Sequence, residues 1–315
     1  MILLVTNKRD ITTDFIVLEL ERRAHPFVRL NSEDLPQATV RFRPDTGWEL
    51  ILEDQMVALS DVVAGYYRRP GTPEVPENTG DAATRDYIAS EWSAVLRSLW
   101  NALEGRWLNS PFAILRAEDK PRQLSAALAL GFSIPDTLVS NDFVAASEFV
   151  AQGGAIGKPL RHALVERGPS GEVLFTSRLE LLTLEDRAAV AVAPVIYQRE
   201  IAKDCDLRVT VIGEQWFATA IHSQGNRETE VDWRRGSRVD LAHQTVPLPE
   251  DIAQRCLMLT RALDLRYAAI DLIRDTAGAY WFLEINPNGQ WAWIERRTGA
   301  PLSAAIVDAL IGLAA

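Results

Sequence analysis

Apolar residues along this 315-residue chain fall into two spacings, and each predicts its own kind of element. Unbroken or alternating apolar runs at 2–7, 26–31, 39–43, 48–52 and 62–67 read as strands. A three-to-four-residue recurrence at 13–23, opened by Thr12, Thr13 or Asp14, reads as a helix. The same spacing at 82–104 puts Trp92, Val95, Leu99 and Leu103 on one helical face. Between these, Gly71, Pro73, Pro76 and Gly80 make 71–81 a loop.

The pattern restarts after Ser110 and Pro111. An amphipathic helix is predicted at 118–130, stopped by Gly131, then a strand at 137–140. A helix at 143–151 follows, with Gly153 and Gly154 as its stop, and a strand at 155–159. From about 164 the chain alternates strands and loops up to an apolar hairpin at 272–274 and 280–285. A helix at 302–313 ends it. The pattern thus gives a small α/β unit followed by a second region that begins near Ser110 and Pro111.

Composition narrows the function. Hydrophobic content of 47% and charged content of 24% are ordinary for a globular chain. No apolar run is long enough for a bilayer, and MILLVTNKRD lacks a basic leader with a signal-type core, so no membrane role and a cytoplasmic location are expected. Cys205 and Cys256 are too few for a disulfide framework or a structural zinc site. A net charge of −10 argues against general nucleic-acid binding. Only four of the 33 basic residues are lysines, Lys8, Lys120, Lys158 and Lys203. Lysine is a compact point charge suited to phosphate oxygens, so each is a candidate for work that arginine does less well.

The hairpin carries the most specific chemistry. Asp275, Thr276, Ala277 and Gly278 form its turn; if the turn closes around Thr276 and Ala277, Asp271 sits opposite Phe282. Alternation along the strands then puts Asp271, Glu284 and Asn286 on one face, with the two acids as diagonal neighbours. An Asp and a Glu on a hairpin are commonly a solvated face. Here Ile270, Leu272, Ile273, Trp281, Phe282, Leu283 and Ile285 surround them, and carboxylates in apolar surroundings need a compensating cation. Two carboxylates and an amide oxygen make an under-filled magnesium shell, open to phosphates and water.

Three further segments fit a nucleotide. Glu118, Asp119 and Lys120 open a helix. Lys158 follows the glycine-rich GGAIGKP turn at 153–159, which is not a P-loop; such a lysine is often only a surface residue. The stretch IYQREIAKDCDLR at 196–208 reads as an extended hinge whose backbone could meet an adenine edge.

Together these pieces resemble the ATP-grasp superfamily over roughly 111–315. The similarity implies that Lys120 and Lys158 contact the phosphates of ATP and that the backbone of Gln198, Arg199, Glu200 and Ile201 holds adenine. It also implies that Asp206 holds the ribose, that Arg208 and Arg234 lie near the transferred phosphate, and that Asp271, Glu284 and Asn286 bind Mg2+. Arg199 departs from related peptide ligases, which often carry Glu there. Within the superfamily the chain looks most like the microviridin or graspetide-type ligases, on TNKRDITTDFIVLELERR, RLNSEDLP, YYRRP and LEINPNGQWAWIERRTGAPL, which span nearly its whole length. The implied fold is ATP-grasp, α/β and α+β, with an N-terminal α/β pre-ATP-grasp domain at 1–110, a central ATP-grasp lobe at 111–194 and a C-terminal lobe carrying the Mg2+ site at 195–315.

That resemblance implies a ligase that phosphorylates side-chain carboxylates of a ribosomal precursor peptide and joins them to its Ser, Thr or Lys side chains, and it implies a homodimer. Amino-acid ligases that extend a protein share the nucleotide residues; a silent nucleotide- or leader-binding protein is the alternative from another class. Arg68 and Arg69 end a predicted strand on opposite faces, so one of them is expected to reach the cleft and hold an acidic substrate side chain, as could Arg296 or Arg297. Trp291 and Trp293 could wall a peptide groove or belong to the core. His222 is a candidate base, although a lone histidine is more often structural.

Overall fold

In the computed structural model, residues 1–313 are described apart from 54, 162–163, 166–171 and 237–239. The run ILLVT becomes the central strand Ile2–Thr6 of a three-stranded parallel sheet, flanked by Phe27–Asn31 and Ala64–Tyr67. It is apolar up to Thr6 because both its faces are covered. Leu3 and Val5 pack against the antiparallel meander Thr39–Arg43, Gly47–Leu52 and Gln55–Ala58 and the long helix Ala82–Ala102. Ile2 and Leu4 instead share a core with the helix Ile11–Arg22 and the C-terminal helices Ala292–Thr298 and Leu302–Gly312. The C-terminal helices are therefore packed on the first twenty residues of the chain.

Two antiparallel sheets make the rest. One has four strands in the order Ser177–Arg178, Ala155–Lys158, Val195–Arg199, Thr137–Ser140. Its apolar side packs on the helix Phe143–Ala151, which ends where Gly153 and Gly154 both take left-handed φ. The other has five strands in the order His243–Thr245, Gln215–Ile221, Lys203–Ile212, Tyr267–Asp275, Tyr280–Asn286. Helices Lys120–Ala129 and Glu250–Ala262 back it.

Several elements differ from the sequence-based expectation. The first helix is capped by Asp10, which accepts from Thr12 N–H, rather than by Thr12, Thr13 or Asp14. The helices Pro111–Ala117, Arg187–Val192 and Ala292–Thr298 are additional. Glu250–Ala262 lies where strands and loops were expected; Pro249, Glu250 and Asp251 make a regular helix start, and its buried face repeats at Ile252, Cys256 and Leu259. Part of the expected strand-and-loop stretch from 164 falls outside the described residues.

Candidate active site

The acidic hairpin does not close with the expected register. Leu272 pairs with Phe282, but Asp271 pairs directly with Glu284, so Leu283 is an extra residue in a β-bulge. Phe282 is fully buried in the core behind the sheet, not opposite Asp271. The bulge is what turns Glu284 to the cleft: in an unbulged ladder it would share the face of Phe282. As built, Leu283, Glu284 and Asn286 all line the cavity with Asp271. Asn286 Nδ2 lies 3.4 Å from both Asp271 Oδ2 and Glu284 Oε1, so the three oxygen-bearing groups converge.

Cations surround them. Arg208, paired with Asp271 across the sheet, puts Nε 2.6 Å from Asp271 Oδ1. Lys120 Nζ and Arg234 Nη1 each lie 3.5 Å from Glu284 oxygens. Asp232 grips Arg234 through two 2.8 Å bonds. Burial pushes the Asp271 carboxyl up, with Arg208 opposing and the charge of Glu284 adding to it. Glu284 is equally buried, yet Lys120, Arg234 and Lys158 together hold it down. Hard oxygen donors whose charge is balanced by movable ammonium and guanidinium groups suit Mg2+.

Neighbouring elements fix this geometry. Tyr280–Asn286 is an edge strand, and the helix Lys120–Ala129 covers its edge. Gln123, buried one turn after Lys120, donates to Ile285 O at 2.8 Å and accepts from Ile285 N at 3.1 Å. Asp119 caps that helix, so Lys120 stands at its first turn beside Glu284. After Asn286 the chain turns tightly, and a Cβ on Gly289 would come within 2.3 Å of the Ala269 Cβ. Tyr267 hydroxyl donates to Gly289 O, and Asn109 donates to Pro287 O.

Arg68 completes that clamp, and this corrects its expected role. It is 1% exposed, paired with Asp10 at 3.1 Å, and donates to Asn288 O and Gly289 O. It ties the N-terminal sheet to the turn behind the acids and does not reach the cleft.

On the opposite wall, Lys158 Nζ donates to Gln198 Oε1 at 2.9 Å, and Gln198 donates in turn to Thr137. Burial pushes the Lys158 ammonium down to about 8; Lys120 and Arg234 repel it further while Glu284 opposes. The hinge at Gln198, Arg199, Glu200 and Ile201 lines the same cavity. The amides of Arg199 and Glu200 are committed internally, to Asp136 O and Gly154 O. The Arg199 side chain stacks on Phe149 and donates to Phe149 O and Gly153 O, away from the cavity, so its part there is limited to backbone. Asp206 lines the cavity but is tied down by Lys203 Nζ at 2.8 Å to both oxygens and by Ser223 Oγ. Lys203, Asp232 and Trp233 are cavity residues that received no role from the sequence, although the scarcity of lysine had singled out Lys203.

A second cavity opens from the first across Trp233, Arg234 and Asn286. Arg69, whose φ of +44° is left-handed, stands at its wall together with Arg208, Arg297 and His243. Trp293 lines it too, with Trp233 and His243 against its ring. Trp291 is instead fully buried and bonded to the Tyr66 hydroxyl. His222 is exposed and lines neither cavity; its backbone pairs with Ala242.

Two antiparallel sheets closing on a cavity of lysines, arginines and paired acids are the ATP-grasp fold. The RimK-like ATP-grasp domain matches residues 117–310, and the chain belongs to that family. A probable alpha-L-glutamate ligase from Haemophilus influenzae is 25% identical over 252 residues, 72% of this chain and 78% of that protein. Among solved structures, macrocyclase MdnC bound with precursor peptide MdnA, from Microcystis aeruginosa, superposes with a TM-score of 0.85. It is 28% identical, covering 99% of both chains. A Chryseobacterium gregarium RiPP-associated ATP-grasp ligase in complex with ADP and a leader and core peptide gives a TM-score of 0.89. It is 25% identical, over 99% of this chain and 96% of that one. The chain is an ATP-grasp ligase, and no helix among the described residues is long and apolar enough to cross a membrane.

Proposed function

We propose that this ligase activates side-chain carboxylates of a ribosomally made precursor peptide as acyl phosphates and joins them to hydroxyl or amine groups of the same peptide, releasing ADP and phosphate. The observation that carries this is the continuity of the two cavities: a site suited to a nucleotide runs, past Asn286 and Arg234, into an open one walled by arginines. Peptide carboxylates are what such a wall attracts, and a carboxylate beside Arg69 or Arg297 faces the place where the terminal phosphate would lie. The structures of the macrocyclase MdnC and of the Chryseobacterium RiPP-associated ligase also cover the N-terminal sheet, whereas the glutamate ligase aligns with less of the chain.

In this reading Lys120 and Lys158 hold phosphates, the 198–201 backbone meets adenine, and Asp206 meets the ribose. Asp271, Glu284 and Asn286 would hold Mg2+, which offsets charge on the phosphoryl oxygens. Arg208 and Arg234 stabilise negative charge as the phosphoryl group moves to the carboxylate. Phosphorylation gives the carboxylate a leaving group, and a side chain of the same peptide then displaces phosphate. A homodimer belongs to the same proposal.

The second reading, addition of an amino acid to a peptide, is supported by the glutamate-ligase relatives. Intact mass of an acidic precursor-type peptide after incubation with protein, ATP and Mg2+ separates them. Loss of one water per bond supports the intramolecular ligase; a gain of one residue supports the second reading, and an unchanged mass with ADP absent removes both.

A further inference from the structure

The second cavity carries four guanidinium groups and, among its described lining residues, no carboxylate. Arg208 and Arg234 are paired to Asp271 and Asp232, which lie on the nucleotide side. Arg297 is paired at 2.7 Å to Asp240, whose side chain is 91% exposed, so water screens that pair. Arg69 is exposed at the wall, and no ion pair joins it to a carboxylate among the described residues. The uncharged part of the lining is aromatic, Trp233 and Trp293, with the His243 imidazole edge-on to Trp293.

Resting on the function proposed above, we propose that the acceptor taken by this cavity is a neutral hydroxyl, Ser or Thr, so that the bond made is an ester and a lysine amine is refused. The field of the guanidinium groups favours the acyl phosphate and disfavours an ammonium, which finds no described carboxylate to pair with. Proton accounting points the same way. When a hydroxyl attacks, its oxygen lone pair forms the new C–O bond and the acyl C–O bond breaks toward phosphate. The hydroxyl proton leaves on that phosphate as hydrogen phosphate, and no protein base is consumed. An ammonium must first lose a proton to become a nucleophile, and a second departs with the phosphate. Its first proton needs a base in the cavity, and His243 is the one described candidate. Burial and the charge of Arg297, 3.3 Å from His243 Nδ1, hold that imidazole below its ordinary proton affinity.

The test uses three synthetic precursor-type peptides, identical except for Ser, Thr or Lys at a single acceptor position opposite one Glu, with the wild-type protein, ATP and Mg2+. The Ser and Thr peptides are expected to lose one water, in a product that mild base reopens, with the Lys peptide at least tenfold slower. Arg297→Glu, which sets a carboxylate beside His243, is expected to narrow that ratio by raising the rate on the Lys peptide. Equal or faster dehydration of the Lys peptide by the wild-type protein overturns the acceptor assignment while leaving macrocyclisation standing. Dehydration of none of the three, with ADP absent, overturns the proposed function and the acceptor assignment together.

Discussion

In the proposed role of Lys158 as a phosphate ligand, nucleotide affinity depends on pH. Its ammonium is desolvated between the two lobes and shares the cavity with Lys120 and Arg234, which holds it down to about 8 in the free protein. A bound phosphate restores the ammonium toward its ordinary value near 10.4. Binding above pH 8 must then take up a proton, and affinity falls as pH rises. The charged fraction of Lys158 is about 0.9 at pH 7, about one half at pH 8 and about 0.1 at pH 9, so the dissociation constant of ADP with Mg2+ rises about tenfold from pH 7 to pH 9. Calorimetry in buffers of different ionisation enthalpy reads the proton directly: uptake of about half a proton at pH 8 and close to none at pH 6.5. Lys158→Arg, charged throughout, is expected to flatten both curves. A pH-independent affinity with no proton uptake in the wild-type protein would refute the placing of this ammonium among phosphates.

Three other perturbations probe separate parts of the site. Glu284→Gln is expected to lower peptide-dependent ADP formation at least about 100-fold without loss of fold, read by a coupled ADP assay and far-UV circular dichroism; full activity would remove the metal assignment. Deleting Leu283 removes the extra residue and leaves Glu284 directly after Phe282, opposite Asp271 and still on the cleft face, so Mg2+-dependent ADP binding should persist in titration calorimetry; its loss with the melting temperature unchanged would contradict the bulge as the reason Glu284 faces the cleft. Arg68→Met leaves Asp10 buried without its cation and two carbonyls of the 286–289 turn without a donor; urea unfolding should show a loss of about 3–5 kcal/mol, and a loss below about 1 kcal/mol would contradict the clamp.

What could be read from the chain was local. Asp271, Glu284 and Asn286 stood out because apolar residues flank them on both strands, and the cleft face follows from that contrast. Their register did not, because the inserted Leu283 looks like any other strand residue, and it is the packing of Phe282 into a core shared with distant helices that requires it. Strand alternation separated Arg68 from Arg69, but which of them turned inward depended on Asp10, 58 residues away. The same holds for Trp291 and Trp293: one fills a core built from the first twenty residues, the other walls a cavity. The helix Glu250–Ala262 was legible in its period and was hidden by the prolines and short apolar runs that precede it. Lys203 was marked by its rarity, yet its pairing with Asp206 across a bulge in the strand start was not visible from spacing.

The proposed reaction depends on attack by a carboxylate of the peptide on the terminal phosphate of ATP. It is tested most directly by following oxygen. A precursor-type peptide whose side-chain carboxylates carry ¹⁸O is incubated with the protein, Mg2+ and unlabelled ATP, and the released phosphate is weighed by mass spectrometry. The expected result is one ¹⁸O in each phosphate, matched by loss of one labelled water from the peptide for every ADP formed. Phosphate without label while the peptide is modified would contradict an acyl phosphate and with it the role assigned to this site.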